Sequence, residues 1–170
     1  YLSEKYISGI LMDIMQDLEK DPEISKFCFK ILKVFLSKNL ESNYKKLNLE
    51  MLVQLMIDSQ KKYYSYVDVL ISINDLAVVL INNITDNNVK NTLFKIIIKS
   101  LDIQNNNPNL VIPALSSILD TISKNSTLLE ELAENYATTI VNILKNLSTS
   151  FSACIGACKI LSICSKNPIY

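Results

Sequence analysis

Apolar and polar positions along the chain recur at helical rather than strand spacing, and one segment sets the register for the others. It is DPEISKFCFKILKVFLSKN, Asp21 to Asn39, with a small residue at Cys28, apolar residues at Leu32 and Leu36, and Asn39 where the pattern stops. The same arrangement returns as Ser72, Leu76, Leu80 and Asn83, as Ala114, Ile118, Ile122 and Asn125, and as Gly156, Ile160, Cys164 and Asn167. The small heads of the four copies are 44, 42 and 42 residues apart, a period that marks stacked helical units. Residues four apart share one helical stripe, so each copy offers a seam to its neighbour, and the small head lets two backbones approach. The terminal Asn predicts a helix stop in the left-handed conformation. Asp21-Pro22 and Asn107-Pro108 each place a capping side chain before a proline at the first helical position.

The elements follow from this register. Ser3 to Glu19 reads as an amphipathic helix with Ile7, Ile10, Leu11, Ile14, Met15 and Leu18 on one face. The next helix runs to Lys38, Asn39 to Lys46 is a polar connection, and Leu47 to Ser59 is a further amphipathic helix. Tyr63 to Asn82 includes VDVLISI, which taken alone suits a strand; the repeat register makes it helical. Thr85 to Asn88 is a capping turn before Val89 to Ile103, and Gln104 to Asn107 is a connection. Pro108 to Lys124 holds Pro113, which is expected to kink or split it. Ser126 or Thr127 is expected to cap Leu128 to Leu132, Tyr136 to Leu147 is helical, and Ser148 to Ser150 caps the last copy. The chain is therefore expected to be all-α, a single domain over 1–170: a part-repeat at 1–20, repeats at about 21–62, 63–106 and 107–147, and a part-repeat at 148–170. Its abrupt ends are those expected of a piece of a longer protein.

Several of these blocks resemble armadillo repeats. DPEISKFCFKILKVFLSKN and NPNLVIPALSSILDTISKN are similar to that family's first two helices, with a small residue in the middle and Asn at the end. LEMLVQLMIDS at Leu49 to Ser59 and TTIVNILKNL at Thr138 to Leu147 are similar to its third helix, and SGILMDIM has the Gly that precedes a third helix there. The resemblance covers essentially the whole chain. It implies a right-handed α-α superhelix whose third helices line a concave groove for extended or helical partner segments. The glycines that usually part the first and second helices are mostly absent, which implies that those helices run together as in HEAT repeats. The chain has no Trp, unlike importin-type members that read basic peptides with a Trp and Asn array.

On that arrangement the outward residues of the third helices are, in order, Asp13, Gln16 and Asp17; Gln54, Asp58 and Lys61; Lys95, Lys99 and Asp102; and Thr138, Asn142, Lys145 and Asn146. Asp13, Asp17, Gln54, Asp58, Lys95, Lys99, Asn142 and Asn146 are the candidate partner contacts, running from acidic to basic. Asn142 and Asn146 are one turn apart, and an amide offers both donor and acceptor to an extended backbone. The competing reading is a solvated helical face that owes its charges to solubility.

Composition narrows the function. Lys plus Arg and Asp plus Glu both number 17, so no net field recommends nucleic acid as a partner. The longest apolar runs are interrupted far short of a membrane span, and the acidic residues in Tyr1 to Lys20 are unlike a signal peptide. Cys28, Cys154, Cys158 and Cys164 lie on or beside the seams, which suits buried small hydrophobes in a reducing, cytoplasmic compartment. Cys154 and Cys158 are one turn apart, but with no histidine and no C-x-x-C pair a metal is not expected. With no histidine, no Gly-rich phosphate loop and no nucleophile elbow, neither catalysis nor a cofactor is expected, and Glu130, Glu131 and Glu134 read as a charged helix face. The tyrosines Tyr63, Tyr64 and Tyr66 suit packing between repeats or an aromatic contact for a partner.

The expected function is a non-catalytic scaffold that binds a protein or peptide. The alternatives are a spacer or self-associating segment of a larger solenoid, and an adaptor or chaperone-type client binder. Terminal repeats normally carry polar capping faces, yet Phe151, Ile155, Ile160 and Ile163 populate the last helix. Apolar surface at that end, or self-association through the end repeats, is therefore expected. An apolar dye should bind the chain; monomeric behaviour at high concentration without dye binding would count against this.

Overall fold

The computed structural model describes residues 9–14, 21–38 and 48–166, and every regular element among them is helical. Residues 9–14 are helical, within the expected first helix. They are followed by α1 (Pro22–Lys38), α2 (Leu49–Lys62), α3 (Val67–Asn83) and α4 (Asn87–Ile103). Then come α5 (Pro108–Lys124), α6 (Ser126–Asn135), α7 (Ala137–Asn146) and α8 (Phe151–Cys164). The connection expected at Asn39 to Lys46, and the stops expected at Asn39 and Asn167, lie outside the described residues.

The chain forms two compact units, Tyr1–Ile96 and Ile97–Tyr170, with the division inside α4. In the first unit α1 packs along α3, and α2 also lies against α3. Phe29, Leu32 and Leu36 of α1 are buried there, with Leu52 and Met56 of α2, Leu70, Ile73, Leu76 and Leu80 of α3, and Leu93 and Phe94 of α4. In the second unit α8 packs on α5 and α7, and α6 bridges to α5, α7 and α8. Its buried side chains include Leu110, Leu115 and Ile118 of α5, Leu128 and Leu132 of α6, Ile140 and Ile143 of α7, and Ala153, Ala157 and Ile160 of α8. Each unit thus places two copies of the repeated helix side by side, α1 with α3 and α5 with α8.

The seam read from the sequence is the buried stripe. Cys28, Leu32, Leu36, Ser72, Leu76, Leu80, Ala114, Ile118, Ile122, Ile160 and Cys164 are all buried. Gly156 is half-buried, and its lack of a side chain has a direct cause: a Cβ there would lie 3.2 Å from both Cβ and Cδ1 of Leu115. The small head of the fourth copy is therefore a point of close approach between α8 and α5.

The helix starts match their capping residues. Asp21 Oδ1 accepts from the Glu23 N–H at 2.8 Å, and Asn107 Oδ1 accepts from the Asn109 N–H at 3.1 Å, each ahead of a proline. The stops work differently from expectation. No described residue has positive φ. Instead the Asn83 side chain donates to the Val79 carbonyl at 2.6 Å, and Asn125 donates to the Thr121 carbonyl at 2.9 Å. Each amide thus adds a side-chain donor to a carbonyl one turn back, at the end of its helix. Asn is suited to the position by its donor, without any left-handed residue.

Three further expectations are corrected in whole or in part. Tyr63 does not begin a helix: it caps the C-terminus of α2, its N–H bonded to the Ser59 carbonyl at 2.8 Å, and α3 starts at Val67. Of the kink or split expected at Pro113, the split does not occur: α5 is continuous from Pro108 to Lys124, and Pro113 and Asn109 are both exposed, so the lost hydrogen bond falls on the solvent side. Ser126 is the first residue of α6 rather than its cap, which is Asn125. The cap expected within Ser148 to Ser150 is there: Ser150 is the N-cap of α8, without a side-chain hydrogen bond.

Truncating the seam tests its weight. Leu32→Ala and Ile118→Ala are each expected to cost about 2–5 kcal/mol in urea unfolding, whereas Ser116→Ala on the exposed face of α5 should change stability by no more than about 0.5 kcal/mol. Gly156→Leu should cost about 1–3 kcal/mol by forcing α8 off Leu115.

Candidate interaction surfaces

Two helix starts and one cross-brace shape a groove in the first unit. The Asn48 side chain accepts from the Met51 N–H at 3.1 Å and fixes the first turn of α2. Asp86 accepts from the N–H groups of Asn88 and Val89 at 2.8 and 3.3 Å and fixes the first turn of α4. Further along, the buried Gln60 amide of α2 donates to the Ile96 carbonyl of α4 at 2.6 Å. Between the two helices lies an open groove of about 520 Å³ lined by Leu49, Glu50, Val53, Gln54, Ile57, Asn88, Val89 and Thr92. Its walls are aliphatic at Leu49, Val53, Ile57 and Val89, and Glu50 is the one charged side chain in that lining.

The candidate contacts from the sequence are distributed as follows. Asp13 is exposed in the 9–14 helix, and Asp17 lies outside the described residues. Gln54 lines the groove, and its amide donates to both carboxylate oxygens of Asp58, at 3.0 and 2.9 Å. Lys61 stands 3.8 Å from the same carboxylate, so Gln54, Asp58 and Lys61 form one local cluster along α2. Lys95 and Lys99 are exposed one turn apart on α4. Asn142 and Asn146 are exposed on α7, and Asn146 donates to Asn105 Oδ1 at 2.9 Å while Thr139 donates to Asp102 Oδ1 at 2.8 Å. In the second unit a polar seam therefore joins the end of α4 and the loop after it to α7.

Sequence reasoning missed most of the groove. Leu49, Ile57 and Val89 are half-buried, and apolar periodicity alone does not separate a half-buried lip from a core position. It also missed Asn105, set aside as part of an ordinary connection. The tyrosines divide: Tyr63 is buried with its ring edge-on to Tyr66 at 6.0 Å between centroids, while Tyr64 and Tyr66 are exposed. Two ion pairs join the repeated helices of the first unit, Lys33 with Asp75 at 2.6 Å and Lys26 with Asp68 at 3.9 Å.

The four cysteines are free thiols in distinct surroundings. Cys28 and Cys164 are buried, and burial pushes both thiols above their ordinary pKa. Cys154 donates to the Leu147 and Ser148 carbonyls at 3.5 and 3.6 Å, and Cys158 is exposed. Among the described residues no three His, Cys, Asp or Glu side chains cluster as metal ligands would, and no helix is long and apolar enough to cross a membrane. Set against protein-family models, curated proteins and solved structures, the chain matches none.

Iodoacetamide should modify Cys158 first and Cys28 and Cys164 only on unfolding, read by peptide mass spectrometry over time. Both buried thiols have native pKa values above their unfolded ones. Their contribution to stability is thus present below the ordinary thiol range and lost as pH rises through the raised native values. The unfolding midpoint should fall over that alkaline window, and less steeply in a Cys28→Ala, Cys164→Ala variant.

Proposed function

We propose that the chain is a non-catalytic protein-interaction scaffold of armadillo-like helical repeats, and that it receives a partner segment in the groove between α2 and α4. The observation that carries the reading is the composition of that groove: aliphatic walls at Leu49, Val53, Ile57 and Val89 with the single carboxylate of Glu50 beside them. Apolar side chains gain by leaving water there, and a lone exposed carboxylate favours a cation in the partner. The segment that fits carries one or two bulky apolar side chains next to a Lys or Arg. Gln54 and Asn88 on the lining supply donors and acceptors for its backbone. The polar seam in the second unit, where Thr139 bonds Asp102 and Asn146 bonds Asn105, supports the same reading with hydrogen-bonding groups at the surface.

A photo-crosslinking residue at Gln54, compared with one at Ser116 on the exposed face of α5, tests the groove in native lysate. Crosslinks from position 54 should map to a segment of the stated kind, and Glu50→Lys should weaken its binding about tenfold. Equal labelling from Ser116, or no loss with Glu50→Lys, would remove the groove from the proposal.

A further inference from the structure

The lining of the groove between α2 and α4 limits the conformation an occupant can have. Leu49, Val53 and Ile57 follow one another at four-residue intervals, so they form one aliphatic ridge along α2, about 12 Å long. Asn88, Val89 and Thr92 face that ridge from the first turns of α4. Both helices start at the same end of the groove, and further along the Gln60 amide ties α2 to the Ile96 carbonyl. The groove therefore follows the helices lengthwise.

Backbone hydrogen bonding separates the possible occupants. A segment lying extended against these walls would turn peptide N–H and C=O groups toward them along its whole length, and each needs a partner once water has left. The lining has few donors to give. Both N–H groups of the Gln54 amide go to the Asp58 carboxylate, at 3.0 and 2.9 Å, and the Thr92 hydroxyl donates to the Asn88 carbonyl at 3.0 Å. The Gln54 carbonyl oxygen, the Glu50 carboxylate and the Asn88 side chain remain, so Asn88 alone among the side chains of the lining keeps an uncommitted donor. A helix pairs its backbone internally except at its two ends. It asks of the walls what they have: apolar contact along its length and an acceptor or two near one terminus.

On the reading of this groove as the binding site, we infer that its occupant is an amphipathic helix of the partner protein, laid along α2 with its apolar side chains against Leu49, Val53, Ile57 and Val89 and a Lys or Arg beside Glu50. Side chains one turn apart on such a helix stand about 6 Å apart along its axis, the interval at which Leu49, Val53 and Ile57 recur. Glu50 is exposed and is the one charged side chain in the lining, so it sets the sign of the charge that the partner brings. Every regular element among the described residues is helical, so there is no strand edge among them to which an extended segment could add.

A displayed library of random peptides of about 14 residues, four helical turns, tests this against the full chain. The peptides kept are those that bind the unsubstituted protein and lose binding to Glu50→Lys, whose unchanged circular dichroism checks that the exposed substitution leaves the fold intact. They should carry apolar residues three or four apart with a Lys or Arg on the same helical face, and difference circular dichroism should show them becoming helical when the protein is added. Proline in the middle of a kept peptide, on the side away from its apolar residues, should weaken binding about a hundredfold, and alanine there should leave it within about threefold. Apolar residues at alternate positions, or binding that survives the proline, would overturn the helix and leave the groove as the site. Failure to enrich any peptide that depends on Glu50 would remove the groove itself, and the helix with it.

Discussion

The structure depends on the burial of one stripe per repeated helix. A helix with Leu32 and Leu36, or Ile118 and Ile122, on one side has no way to cover that stripe with its own backbone, so it is stable only against another helix. The two pairings α1 with α3 and α5 with α8 supply that cover, with α2 against α3, α6 against α5 and α8, and α7 against α8. At the head of the fourth copy the approach is close: a Cβ on Gly156 would lie 3.2 Å from Leu115.

This constraint explains what was legible. The stripe is a periodic property of side-chain type, so it can be read from Cys28, Ser72, Ala114 and Gly156 onward, and its buried state in the structure follows from the same hydrophobicity. Helix starts were legible where chemistry is local, as at Asp21-Pro22 and Asn107-Pro108. Helix stops were legible in place but not in mechanism. Asn tolerates the left-handed conformation and also carries a donor, and the sequence does not say which property is used. At Asn83 and Asn125 it is the donor.

Boundaries and surface geometry were harder for a physical reason. Tyr63 is as apolar as a helical core residue, yet the turn from Tyr63 to Tyr66 uses it to close α2, with the Tyr66 N–H bonded to the Tyr63 carbonyl at 2.9 Å. Pro113 costs a helix its hydrogen bond only in proportion to what the freed carbonyl loses, and on an exposed side that loss is small. The groove arises from the relation of α2 to α4, set by the Gln60 amide reaching the Ile96 backbone across 36 positions, and no local pattern encodes that reach. Likewise Asp102 and Asn105 become partners of Thr139 and Asn146 only once α7 lies beside the end of α4.

The division of labour between stripe and surface has a consequence for function. Gln54, Asp58, Lys61 and Glu50 lie on the opposite side of α2 from Leu52 and Met56, which hold it in the unit. Exchanging exposed polar residues costs a helix little, typically within about 0.5 kcal/mol, whereas truncating a stripe residue costs several-fold more. A fold built this way leaves its outer faces open to change while its core stays constrained. The exceptions to a polar surface therefore carry the most information. On the proposed function, the aliphatic wall at Leu49, Ile57 and Val89 is such an exception, its half-buried side chains covered by a partner segment.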